Sequence, residues 1–103
     1  METYDLAELS IAQGPQTWLL VFSRARLFVV SEAGTRLWYI DIDGLTDDRL
    51  LADFAESHAI DVGMTAVSIG GKTFRGNGYF HPNPLHRAAA LRGEGALEGY
   101  SHP

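Results

Sequence analysis

The chain has 103 residues, 46% hydrophobic and 20% charged, with no cysteine and a net charge of −5. That is one globular domain rather than a disordered segment, and the lack of thiols excludes disulfides, thiolate metal sites and a thiol nucleophile. Residues 1–61 carry eleven acids against four arginines, and residues 62–103 carry two acids against four basic residues, so the first part repels phosphate, the second is too weakly basic to track it, and no direct nucleic-acid binding is expected.

Residues 1–13 read two ways: Leu6, Leu9 and Ala12 fit helical spacing, whereas Leu9 and Ile11 alternating with Glu8 and Ser10 fit a strand. The start, METYDLAELS, has acids where a secretory leader has a basic region. No apolar run approaches the roughly 20 residues of a membrane helix, and a cytoplasmic protein is expected. Gly14-Pro15 ends this first segment.

Residues 17–22 are β-rich and apolar on both faces, the pattern of a central, doubly covered strand. Residues 26–31 and 36–42 follow as two more strands joined by the loop Glu32-Ala33-Gly34-Thr35, with Leu37, Tyr39 and Asp41 on one face of the third and Trp38, Ile40 and Ile42 on the other. Loops this short make the three strands an antiparallel meander. Thr46 suits a helix N-cap, Asp47 and Asp48 suit the positive end of the helix dipole, and Leu50, Leu51, Phe54, Ala55 and His58 gather on one side of an amphipathic helix.

Residues 65–69 and 72–75 around Gly70-Gly71 read as a hairpin. Asn83-Pro84 reads as a cap and first position of a short alanine-rich helix over 85–92. Residues 93–103, with three glycines, read as a loosely held tail, of which 94–103 could be deleted without loss of the fold. The expectation is a single α+β domain over 1–92: a three-stranded antiparallel meander with one packed helix, then a β-hairpin and a short C-terminal helix. Strands apolar on both faces under one helix leave a face uncovered, so a homodimer through a strand edge is also expected.

Residues 39–46, YIDIDGLT, resemble the first motif of the haloacid dehalogenase-like phosphatases, where a strand ends in Asp-x-Asp-Gly. The resemblance implies a nucleophile at Asp41, a general acid at Asp43 and a magnesium ion beside them. It covers eight residues; Leu45 stands where the family has Thr, and no Asp follows Asp61 to complete a magnesium site. The same stretch fails as a calcium loop, because its sixth and twelfth positions are Thr46 and Ala52. Gly70-Gly71-Lys72-Thr73 lacks the upstream glycine of a phosphate loop, position 66 being Ala. His81 and His86 are five apart rather than at the one-turn spacing of a zinc helix. No serine sits in a nucleophile elbow. No catalytic residue, metal or cofactor is therefore assigned.

Two surfaces stand out for binding. The run from Asp41 to Asp61 holds seven acids with only Arg49 against them; Asp41, Asp43, Asp47, Asp48, Asp53 and Glu56 can present charge to a basic protein surface. Tyr79 and Phe80 head an aromatic, proline-rich connector of the kind enriched at interfaces. The function expected is a small acidic, non-enzymatic protein-binding module of inhibitor or immunity type, engaging a basic surface of a nucleic-acid enzyme. The alternative is a small metal-dependent phosphohydrolase using Asp41 and Asp43.

Overall fold

The segment left open between helix and strand is a strand that pairs along both of its sides. In a computed structural model describing residues 1–100, β1 (Glu2–Gln13) is followed by β2 (Gln16–Leu19), β3 (Arg24–Glu32), β4 (Thr35–Asp43), helix α1 (Asp48–Glu56), β5 (Asp61–Ser68), β6 (Thr73–Asn83), a 3-10 turn (Pro84–His86) and β7 (Ala88–Glu98). The first half of β1 pairs with β3, its second half with β2, and its opposite side with β5. The order β1-β3-β4-β7-β6-β5 thus returns to β1 and closes a six-stranded barrel, with β2 outside the ring. All neighbouring strands are antiparallel, which a closed ring permits only with an even number of strands.

This overturns the α+β expectation. The two halves are three-stranded meanders, joined by a crossing that contains α1. Residues 17–22, expected as a central, doubly covered strand, instead contain β2, the strand outside the ring, with Leu19 and Val21 exposed; in the ring strands the closed sheet has one inner face to fill. Leu27, Ile40, Phe74, Phe80 and Leu91 point inward with no exposure at all.

Helix α1 closes one end of the barrel. Asp47, not Thr46, is its N-cap, its carboxylate accepting from the Leu50 amide at 3.0 Å. Leu50, Leu51 and Phe54 are buried, while Ala55 and His58, expected on the packed side, are exposed; His58 lies beyond the helix, which ends at Glu56. The Phe54 ring lies edge-on to Trp18 at 5.4 Å and to Phe80 at 5.0 Å. No helix among the described residues is long and apolar enough to cross a membrane.

Toward the other end, Trp38 supplies bulk that its neighbours leave out. A side chain on Gly93 or Gly76 would collide with its indole, and its Nε1–H donates to the Gly95 carbonyl at 3.1 Å. Residues 85–92 are likewise not the expected helix. Pro84 does start a helical turn, but Arg87 adopts a left-handed conformation (φ 49°) and the chain continues as β7. There Ala89 and Leu91 face inward while Ala88 and Ala90 face outward. Tertiary packing overrides alanine's helical preference. Residues 93–98, expected in a loose tail, belong to the same strand, with Leu97 buried; positions 101–103 of that tail lie outside the described residues.

Two outcomes follow for stability. Phe54→Ala should cost about 3–5 kcal/mol, since it removes the ring linking helix and barrel, and a urea melt measures it. Deleting residues 94–103 should abolish or severely weaken the cooperative thermal transition, because it removes half of β7 and Leu97; a sharp, unshifted melt would contradict the packing described.

Candidate functional site

Alternation along the barrel strands decides which side chains meet on its outer wall. Ile40 and Ile42 point inward, so Tyr39, Asp41 and Asp43 point outward. On β6 Phe80 points inward and Tyr79, His81 and Asn83 outward; on β7 the outward residues are Ala88, Ala90 and Arg92. Register aligns them in rows across the wall: Phe28, Tyr39, Arg92 and Tyr79 in one, Arg26, Asp41, Ala90 and His81 in the next.

The aromatic row is ordered by ring contacts. Phe28 and Tyr39 stack at 4.8 Å with 16° between planes, and the Arg92 guanidinium lies 5.6 Å from the centre of the Tyr79 ring. The Glu94 carboxylate, by hydrogen bonding to the Tyr79 hydroxyl and by its charge, raises the phenol pKa above 10.0. Below this row lies a shallow trough of about 430 Å³. Ala88 and Ala90 form its floor, Asp41 and Asp43 one wall, and His81 and Asn83 the other. The floor exists because β7 carries only methyl groups between two strands with longer side chains.

The acidic run does not form one surface. Asp41 and Asp43 stand on the barrel wall, whereas Asp47 and Asp53 line a separate groove of about 390 Å³ between α1 and the β1–β2 hairpin, with Trp18 in it. The turn out of β4 at Gly44 (φ +68°) separates the two groups. Asp48 pairs with Arg87 at 3.5 Å and Asp53 with Arg49 at 3.8 Å. Glu56 is exposed on the helix. Arg26 and Arg24 face Asp41 and Asp43 in register on β3, but Arg26 is held by Asp5 at 3.2 Å; no ion pair among the described residues takes Asp41 or Asp43. Of the aromatic pair proposed from sequence, Tyr79 lies on this wall. Phe80 is fully buried and is not a surface contact, since adjacent strand residues face opposite ways.

Sequence reasoning missed Phe28, Arg92 and the alanine floor; His81 and Asn83 belong to the connector that Tyr79 and Phe80 head. The alternation of residues 37, 39 and 41 is visible in the sequence, but the register that sets β7 between β4 and β6 is not. For the phosphohydrolase alternative, Asp41 and Asp43 share a face as that motif requires, yet they stand in a closed barrel. No group of three His, Cys, Asp or Glu among the described residues is placed to hold a metal ion. Comparison with protein-family models, curated proteins and solved structures returns no match.

Replacing Glu94 by Gln should lower the pKa of Tyr79 toward 10.0, because it removes the charge that disfavours the phenolate. Ultraviolet titration of the tyrosines, with Tyr79→Phe as the reference, reads the change.

Proposed function

We propose that the protein is a non-enzymatic, cytoplasmic protein-binding module whose outer wall receives lysine or arginine side chains of a basic partner. The observation that carries this reading is the trough itself: Asp41 and Asp43, outside every described ion pair, rise beside a floor of two alanine methyls. A long cationic side chain can lay its aliphatic stem on Ala88 and Ala90 and bring its head to the carboxylates. Tyr39 and Tyr79 at the upper margin supply the rigid aromatic area that exposed ion pairs lack, since such pairs contribute only about 0–1 kcal/mol each. The basic cleft of a nucleic-acid enzyme is a surface of this chemistry. Nucleic acid itself is disfavoured, because two carboxylates on the wall repel phosphate.

A short arginine-rich peptide serves as a probe. In a nuclear magnetic resonance titration its shifts should centre on Asp41, Asp43, Ala88, Ala90 and Tyr79 and fade as salt rises, the screening length falling from about 10 Å at 0.1 M to about 3 Å at 1 M. The Asp41→Asn/Asp43→Asn double variant should lose most of the response with its melt unchanged. Shifts centred on Asp47, Asp53 and Glu56 would move the site to the helix and overturn this reading.

A further inference from the structure

We propose that two copies of the chain join through the free edge of β2, in a two-fold antiparallel pairing centred on Trp18. β2 is the strand that the ring leaves out, hydrogen-bonded on one side only. Its hairpin with β1 has the two-residue loop Gly14-Pro15, closed by Gln13 opposite Gln16. Gly14 has φ +57° and Pro15 fixes a negative φ, the combination of a type II′ turn. In such a hairpin the closing pair is hydrogen-bonded and bonded pairs then alternate, so Gln16, Trp18 and Leu20 turn their backbone groups to β1. The Leu20 amide bonded to the Leu9 carbonyl at 2.9 Å fits that phase. The N–H and C=O of Thr17 and Leu19 therefore face outward. The edge ends at Val21, whose carbonyl accepts from the Thr46 amide at 3.2 Å.

Sequence along this edge sets it apart from the rest of the barrel. Every ring strand carries charged side chains, whereas no charged residue occurs from Leu9 to Ser23. Open edges in monomeric proteins are blunted by charge, a bulge, proline or shortness; β2 is short and follows Pro15, which limits the edge to a few residues, but it carries no charge to repel a second strand. Leu19 and Val21, 69% and 61% exposed, extend the apolar character along it.

The occupant that fits is a second copy, because the edge is complementary to itself in one register. A two-fold axis normal to the sheet pairs residues of equal parity. Centring on Trp18 sets Thr17 of each copy against the partner's Leu19 in bonded pairs, and all four outward groups of each strand find partners. Centring on Thr17 would set Leu19 against Pro15, which has no N–H. Centring on Leu19 would set Thr17 against Val21, whose carbonyl is already taken. The Trp18 register also places Trp18 opposite its own copy. Strands of four residues bury less than the roughly 1,200 Å² of a stable interface, so the association is weak and concentration-dependent. Two bodies of net charge −5 repel, so it strengthens as salt rises, opposite to the salt response proposed for the trough.

Sedimentation equilibrium of the full chain from low micromolar to millimolar concentration tests this. The parent should pass from monomer to dimer, more readily at higher salt. Leu19→Lys and Thr17→Pro, the latter removing an outward N–H that an edge strand does not use within the monomer, should each weaken the dimer at least tenfold with an unchanged melt at low concentration. Should either variant fold poorly, amide exchange of the parent decides: the Thr17 and Leu19 amides should slow as concentration rises. A parent that stays monomeric to millimolar concentration would overturn the proposal. So would a dimer indifferent to both folded substitutions, or amides whose exchange is independent of concentration.

Discussion

β1 must serve as a neighbour to three strands, and the barrel exists because one irregularity lets it do so. Its register against β5 shifts between Leu6 and Glu8. Before the shift the inward residue is Leu6; after it they are Leu9 and Ile11. A bulge of this kind bends and twists a strand, which turns β1 from β3 toward β2 while its other side stays on β5. Without that bend the two meanders would lie as an open sheet with edges at β1 and β5. The inward rows of Leu27, Ile40, Leu91, Phe80 and Met64 would then have no facing wall.

The same irregularity explains what the sequence conceals. Leu6 and Leu9 stand three apart, the interval of a helix, because an extra residue lies between two stretches of ordinary alternation. Strands β3 and β4, the presence of α1 and the Gly70-Gly71 turn are legible, since local periodicity and turn chemistry agree with the final structure there. β7 is not legible, because alanines serve as floor and spacer in a sheet whose bulk comes from elsewhere. Gly93 and Gly76 look like breakers in isolation, yet each is small because Trp38, far away in sequence, fills the space above it. Closure itself has no local signal: nothing in residues 6–12 names residues 63–68 as their partners.

The candidate site follows the same logic. Charge counted along a chain becomes a surface only if the fold keeps successive residues on one side. Here the acids of β4 and those around α1 are delivered to different depressions, and two of the helical acids are paired with arginines. What forms on the wall comes from register across four strands, which brings Phe28, Tyr39, Arg92 and Tyr79 into line. Asp41 and Asp43 keep a place at that wall for a reason visible in sequence, since residues two apart on a strand face the same way. The small side chains of β7 give those carboxylates a trough to border.

The two seams that complete the ring have a kinetic consequence. Ile11 meets Met64 across one and Ile40 meets Leu91 across the other, pairs more than fifty positions apart. Each meander can nucleate from its own tight turns within microseconds, as hairpins do, but neither seam forms until a long loop has closed. Topologies dominated by such distant pairings fold in milliseconds to seconds. During that interval the inner faces of both meanders are open to solvent. Closing these distant seams is the slow part of such a topology, and the short α1 crossing, by tethering one meander to the other, shortens the loop that has to close.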